Sequence, residues 1–524
     1  MKTTIIIGAG LGGLITGILL KQSQPADDVI IYDLNKHPGG FCNAFEKACT
    51  YNNEKVKYKF SVPVVTSDFG KGEPFDLFFN YMGVKNIDWK VVEKPFWYYP
   101  GDDAPFMFTK TGVKDLIDRT PEAEKKAARK FFEHMRVLYN EVFHKAYVNP
   151  TILQAIKMMF TTPTAVKAML ANKTYLKHIQ DMGIKTPIIQ DLFSITEGFM
   201  GVEVEKASAV GELLMIQSFL ENSLMQPTNG YTFQTISDNL AERFRALGGK
   251  LNLKTKVDKV LFDNKKAIGV SINGETIQAD NVIMSVAQDR IESLIDGGEH
   301  IGKIKSFLKK TRKIAYPNSD FYSIYLLDKE FVDKNPRLKE TTYHIYKKTK
   351  GLGGNKWNLF MIAPDELLND KYYSMTLLYI EHDQKKIDSW MDLRKNDYTK
   401  YEEEKEKMAE ILIDELAEVE PCFKTQRPLK NLLTMSPASY LQYGSKYPIS
   451  GLSQGPDNFA MNRMKQQVLD NLFISGGASF SAGVWGAIAG SWQGFVSIYK
   501  KVYNTEIGNH DVLYKPGLKN LPKK

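Results

Sequence analysis

The stretch TTIIIGAGLGGLITGILL, Thr3 to Leu20, carries the reading on which the rest of the chain depends. Its first five residues are mostly β-branched and read as a buried strand. A glycine turn follows, then an apolar run long enough for a helix. Gly8, Gly10 and Gly13 meet the pattern G-x-G-x-x-G at that turn. The first glycine permits a tight turn, the second lets the backbone approach a pyrophosphate, and the third lets the helix lie on the strand. Free N–H groups and the positive end of the helix dipole then face the phosphates. A second strand, DVIIYD, ends at Asp33. A carboxylate there accepts hydrogen bonds from an adenosine ribose and repels a 2′-phosphate. Alone, the glycine pattern is weak. Between a strand and a helix, with an acid closing the next strand, it predicts a dinucleotide site.

NAD and FAD share this arrangement, so the next glycines matter. NKHPGGFCNAF places Gly39 and Gly40 shortly after Asp33, where the chain can pass the far side of a pyrophosphate. With these motifs the sequence resembles the FAD-dependent oxidoreductases of the phytoene desaturase, carotenoid isomerase and retinol saturase group, within the wider glutathione-reductase-like and amine-oxidase-like flavoproteins. GAGLGG, PGGFC, the segment from Asn229 to Ser285 and NLFISGGASFSAGVWGAIAGS (Asn471 to Ser491) carry the resemblance. It implies an α/β fold: a Rossmann-like, glutathione-reductase-type FAD-binding domain built from discontinuous segments, plus a mixed α+β substrate domain. It also implies a set of FAD contacts. Gly8, Ala9, Gly10, Leu11, Gly12 and Gly13 would form the first turn, with Asp33, Leu34, Gly39, Gly40 and Phe41 beside it. The strand near Val257 would touch the adenine side, and Gly476, Gly477 and Ala478 the ribityl and phosphate side. The N–H groups of Gly483 and Val484 would point at the flavin pyrimidine oxygen, where negative charge grows on reduction. There are departures. A basic residue common around the second glycine pair is replaced by His37 and Phe41, and Ser61 stands in YKFSVP where many members have Asp.

The C-terminal motif raises its own question, because no charge interrupts Asn471 to Tyr499. A spanning helix needs about 20 consecutive apolar residues, but SGGASFSAG and Trp492-Gln493 break this run. The cofactor reading is therefore preferred. Gly486, Gly490 and Gly494 recur every four residues and leave one helix face bare, open to close approach by another helix or the first βαβ unit.

The expected organisation follows from these pieces. Segments 1–85, 226–290 and 431–505 would build the FAD domain; 86–225 and 291–430 the substrate domain; 506–524 is a basic tail. A hairpin is expected at Asn273-Gly274. TPEAEKKAARKFFEHMRVLYNEVF predicts a helix capped by Thr120, with Pro121 at its first position. FYSIYLL, WNLFMIA and YYSMTLLYI predict strands, and Tyr401 to Glu420 a charged amphipathic helix. From residue 142 to 180 there is no acidic side chain, while Lys145, Lys157, Lys167, Lys173 and Lys177 lie among Ile, Met, Leu and Phe. That segment reads either as a lipid-interface element or as a helix pair with a solvated lysine face.

Composition bounds the chemistry. The 524 residues are 43% hydrophobic and 25% charged, with a mean hydropathy of −0.31 and a net charge of +8. That charge suits an anionic cofactor or lipid surface and does not argue for nucleic acid. Three cysteines with no CxxC fit a reducing compartment, and eight scattered histidines suggest no metal site. A cytoplasmic location, peripheral on the membrane through 142–180, is expected. Cys42, Tyr440 and Tyr443 are candidates for the substrate pocket; His37 either touches a phosphate or caps a turn. No catalytic constellation is readable, as expected where the flavin supplies the chemistry. The leading expectation is an enzyme acting on C=C bonds of a hydrophobic isoprenoid by desaturation, saturation or isomerisation. Two alternatives stand beside it. One is a flavoenzyme for unsaturated fatty acids, sterol-like lipids or amines. The other is a non-enzymatic lipid or prenyl carrier like the Rab GDP-dissociation inhibitors, against which the intact GAGLGG and Asp33 count.

Overall fold

The computed structural model describes residues 1–63, 74–84, 88–92, 96–99, 106–146, 152–191, 201–203, 205–221, 225–227, 232–312, 317–340, 343–346, 358–448, 451–456 and 466–504. Its strands are β1 Thr3–Ile7, β2 Asp28–Tyr32, β3 Cys42–Tyr51, β4 Glu54–Pro63, β5 Trp89–Val91, β6 Phe96–Tyr99, β7 Phe106–Phe108, β8 Met225–Pro227, β9 Lys250–Asn252 and β10 Lys259–Asp263. They continue as β11 Lys266–Ile272, β12 Glu275–Gln278, β13 Asn281–Met284, β14 Ser319–Asp328, β15 Tyr343–Tyr346, β16 Asn358–Leu368, β17 Tyr372–Glu381, β18 Lys430–Met435, β19 Gln467–Leu469 and β20 Leu472–Ile474.

The strand–turn–helix of the N-terminus stands at the centre of the first sheet. Its six strands run in the order β19-β20-β13-β1-β2-β9, and all pairs but β19–β20 are parallel. β1 is flanked by β2 on one side and by the distant β13 on the other, so the chain reverses its winding there. In open α/β sheets a ligand sits beyond the carboxyl end of the strands at such a point. Ile5, Ile6, Ile31, Val282, Ile283 and Phe473 are all buried, as parallel strands covered on both faces require. Helix Leu11–Ser23 covers one face and packs against the closing helix Gly483–Tyr503. The Asn273-Gly274 turn joins β11 to β12 with both residues at positive φ, the geometry a two-residue hairpin needs.

The second sheet has seven strands in the order β18-β14-β17-β16-β15-β6-β7. Its faces are divided by the alternation of β14. Phe321, Tyr325 and Leu327 pack with helix Tyr398–Val419, whereas Tyr322, Ile324 and Leu326 meet the β3–β4 hairpin. The hairpin begins directly after the second glycine pair, so it ties that face to the cofactor end of the first sheet.

Several local expectations change. Thr120 does not cap helix Glu122–His144; Pro121 does, and the Thr120 hydroxyl donates to the Leu116 carbonyl at the end of the preceding helix. β18 pairs with β14, so the segment from 431 begins in the second sheet, not the first. Val257 lies between β9 and β10 rather than in a strand, buried in the core beneath them. The basic tail lies outside the described residues.

Candidate cofactor and substrate site

At the carboxyl end of β1, the glycines do three different jobs. Gly8 has φ 105°, and a Cβ there would lie 2.3 Å from the Ser285 carbonyl oxygen. Around Gly10, by contrast, an added Cβ would meet nothing nearer than the Gly39 oxygen at 4.0 Å, so the backbone is open on that side. A Cβ on Gly13 would fall 1.9 Å from the Gly8 oxygen, where the helix presses on the turn. Leu11 and Ala9 are buried at this turn. The second glycine pair lies beside the first: Gly39 donates its N–H to the Ala9 carbonyl at 2.8 Å, and Gly10 and Gly39 form an isolated parallel bridge.

Asp33 is buried at the end of β2 and does more than the sequence indicates. Its two carboxylate oxygens accept the Ala9 N–H and the Asn35 N–H, each at 2.7 Å. Burial raises its pKa, opposed by those donors. The acid expected to hold a ribose therefore also fixes the first glycine turn. Leu34 beside it is exposed, and the Thr255 N–H donates to the Asp33 carbonyl.

The C-terminal turn closes the cradle. The Cα atoms of Gly12 and Gly476 come so close that a Cβ on Gly12 would sit 2.8 Å from Gly476 Cα. Thr16 and Ser475 share a hydroxyl hydrogen bond of 2.5 Å. Gly477 and Ala478 lie buried in the short turn that follows. The closing helix starts at Gly483 and Val484, with Ala482 as an N-cap that offers no side-chain bond and no acid in its first turn. The first helix begins the same way at Gly10. Two helices thus begin without a side-chain cap, each with unsatisfied N–H groups in its first turn, and the Gly476 turn that precedes the second packs on the first helix at Gly12. The bare glycine face, however, meets its own preceding turn: Cβ atoms on Gly486 and Gly490 would lie 1.9 Å from the Ser481 oxygen and 2.1 Å from the Gly476 oxygen.

The residues present fit a long anionic dinucleotide. The Gly10 side is open, neither helix carries an acid in its first turn, and two polar side chains near the turns are buried without a partner among the described residues. These are the Ser481 hydroxyl, just before the closing helix, and the Gln288 amide, just beyond β13.

Beside Gly40, an aromatic wall continues from the cradle to the second sheet. Phe41 meets Tyr440 and Tyr443 edge-on, with ring centroids 6.3 Å apart in each case. Phe45 approaches Tyr443 at 5.3 Å and Phe60 at 5.6 Å, and Phe60 lies 6.2 Å from Tyr322. The structure brings Tyr440 and Tyr443 together with Phe41 as pocket-side candidates. Cys42 goes elsewhere: it is buried in the first-domain core, its thiol donates to the Phe233 carbonyl at 3.5 Å, and burial pushes its pKa up to about 12. A neutral, core-facing thiol is no substrate group, which corrects the expectation. His37 is exposed.

One residue of this wall went unread in the sequence. Asp320 is fully buried on β14, on the face of Tyr322. The Tyr440 hydroxyl donates to its Oδ1, and Oδ2 has no partner among the described residues. Burial pushes its pKa up to about 7, with the Tyr440 hydrogen bond acting against the rise. Tyr322 donates its hydroxyl to the Ser61 carbonyl at 3.0 Å, so Ser61 meets the aromatic wall through its backbone. An aspartate inside an apolar strand, NSDFYSIYLL, was the available signal. Among the described residues no three His, Cys, Asp or Glu side chains could hold a metal.

Comparison with known proteins agrees with this geometry. Residues 6–71 match the NAD(P)-binding Rossmann-like domain, and residues 65–317 match the family described as flavin containing amine oxidoreductase. The chain resembles the phytoene desaturase-like FAD oxidoreductases. A phytoene desaturase (lycopene-forming) of a Paracoccus sp. is 24% identical over 54% of this chain and 54% of its own length. A 4,4'-diaponeurosporene oxygenase of Staphylococcus aureus is 23% identical over 54% of this chain and 56% of its own. The chain thus spans about half the length of the curated relatives it matches. Solved structures share the fold. An oxidoreductase from Methanosarcina mazei superposes with a TM-score of 0.61 at 15% identity, covering 94% of this chain and 99% of that one. Putrescine oxidase bound to putrescine gives 0.60 at 13% identity, covering 96% and 99%. The flavin family match and the cradle together support FAD as the cofactor of an oxidoreductase.

Proposed function

We propose that this chain is an FAD-dependent enzyme acting on carbon–carbon double bonds of a hydrophobic isoprenoid, by desaturation, saturation or cis/trans isomerisation. The observation that carries the reading is the aromatic wall, in which the half-buried rings Phe41, Phe45 and Tyr443 stand on a buried layer of Phe60, Tyr322 and Tyr440 that holds the carboxylate of Asp320. FAD would be held by the turns at Gly8–Gly13 and Gly39–Phe41, by Asp33 and Leu34, by the backbone near Val257, and by Gly476–Ala478 with Gly483 and Val484. When bound, the flavin supplies hydride and electron transfer. The chain's own residues orient and exclude water. Phe41, Phe45 and Tyr443 would present the apolar face along which a polyene lies. Asp320, neutral below about pH 7, can hold a proton at Oδ2 while Tyr440 fixes Oδ1. A proton-holding group poised near neutrality suits a reaction that makes or removes C–H bonds.

The likeness to putrescine oxidase favours a second reading, an amine as substrate. A cationic amine in this wall would have one carboxylate to pair with. The test is to mix oxidised and reduced holoprotein anaerobically with a long acyclic isoprenoid polyene and, separately, with primary amines. A change in number or geometry of the polyene double bonds is expected. Flavin bleaching by amines with the polyene untouched would contradict the proposal in favour of the second reading.

A further inference from the structure

Helix Ile152–Thr161 presents most of its apolar side chains outward, and Leu170 does so on helix Pro163–Ala171, whose Ala165, Ala168 and Met169 face the core. Ile152 is 82% exposed, Leu153 80%, Phe160 80% and Met159 60%, and Leu170 on the second helix is 71% exposed. At about 100° per residue, Ile152, Leu153, Ile156, Met159 and Phe160 fall within an arc of roughly 120°. Met158, on the opposite side, is buried. This is the reverse of an ordinary surface helix, whose apolar stripe faces the core. Clustered exposed side chains of this size mark an interaction face, whereas scattered ones do not.

Charge identifies what the face meets. Lys145, Lys157 and Lys167 are exposed and form no ion pair among the described residues. Lys173 and Lys177 are different: they are taken up by Asp181 at 2.5 and 2.6 Å. The first acid after the acid-free segment therefore neutralises its far end and leaves the positive charge around the apolar stripe. The cores of protein–protein interfaces are depleted of lysine. A lipid headgroup layer accepts lysine, because the long side chain lets the ammonium reach phosphates while its methylenes stay with the apolar surface.

We propose that the outward face of Ile152–Thr161 and Pro163–Ala171 docks on an anionic phospholipid bilayer, with Leu153, Ile156, Met159 and Phe160 entering the headgroup boundary and Lys157 and Lys167 on lipid phosphates. The contact is peripheral, since no described helix is long and apolar enough to cross a membrane. It stands apart from the substrate assignment, because binding is read without turnover.

The experiment is vesicle flotation of the full-length, flavin-loaded protein. Vesicles of phosphatidylcholine alone are compared with vesicles of equal parts phosphatidylcholine and phosphatidylglycerol, at low and high salt. The wild-type protein floats with the anionic vesicles, and less so at high salt. Leu153→Ser with Phe160→Ser weakens binding at least tenfold while flavin absorbance and melting temperature stay unchanged. Lys157→Gln with Lys167→Gln abolishes the preference for anionic vesicles. Failure of the wild-type protein to float, or flotation unchanged in the Leu153/Phe160 variant, would overturn the proposal. So would a stable wild-type dimer that the Leu153/Phe160 variant converts to monomer without any flotation, which would assign the face to a second copy.

Discussion

Among the apolar helices free of acidic side chains, two have opposite fates. The closing helix Gly483–Tyr503 is buried along most of its length, its Trp492 ring 6.1 Å from Phe78 and its Ser491 hydroxyl donating to the Gly12 carbonyl. Helix Ile152–Thr161 turns the same kind of side chains to solvent. Glycine spacing separates them. Gly486 and Gly490 let backbone touch backbone, so the closing helix can be packed on the cofactor cradle. The shorter helix carries bulky Ile152, Leu153, Ile156, Met159 and Phe160 on its outward side, and they stay exposed. Apolar content alone does not say whether a helix is core, cofactor support or lipid contact; the neighbours available to it do.

The comparison can be broken most severely at its tightest point. Gly490→Val places side-chain atoms against the Gly476 carbonyl oxygen, 2.1 Å from a Cβ at that site. Backbone cannot yield cheaply, so a loss of more than about 4 kcal/mol is expected. It would read out as a protein that is insoluble or purifies without visible flavin absorbance.

Asp320→Asn has the next largest expected effect. Its folded pKa is raised from 3.8 to about 7 by burial. The folded state therefore keeps a proton that the unfolded chain releases, and stability falls as pH rises from about 4 to about 7, levelling off above. The penalty at pH 8 is on the order of 2–4 kcal/mol. The asparagine variant should show a higher urea midpoint than wild type at pH 8 and a similar one at pH 4, with turnover reduced. Equal midpoints at both pH values would count against an unpaired buried carboxylate.

Asp33→Ala tests the cradle itself. The buried Ala9 N–H and the half-buried Asn35 N–H lose their acceptor, at a cost of about 1–3 kcal/mol. FAD affinity should drop by at least tenfold, as measured by fluorescence of released flavin during dialysis. The smallest effect is expected on the exposed helix. Leu153→Ser with Phe160→Ser should move stability by no more than about 0.5 kcal/mol, in contrast to its loss of vesicle binding. A destabilisation as large as that of Gly490→Val would mean that both helices are core.

Much of the fold was legible because its signals are local. Gly8 to Gly13, the Asn273-Gly274 turn and the strands FYSIYLL and YYSMTLLYI each declare themselves within a few residues. The rest depends on partners distant in sequence. Tyr440 and Asp320 lie 120 residues apart, and only the register of β14 against β18 brings the tyrosine after β18 to the aspartate. Cys42 looked pocket-side by its place after the glycine pair, but strand alternation turns it into the core. Thr120 carried a capping signature, yet the preceding helix claimed it first. The lysines of the acid-free segment looked alike in sequence, and only the fold shows that Asp181 takes two of them.

The central claim is that the glycine turns and the two helix N-termini form a cradle for FAD. The direct test is to purify the protein without added cofactor, record its visible spectrum and identify what denaturation releases. The account predicts a yellow protein releasing about one FAD per chain, the occupancy a single dinucleotide fold provides. A colourless protein that stays empty when FAD is added would contradict it.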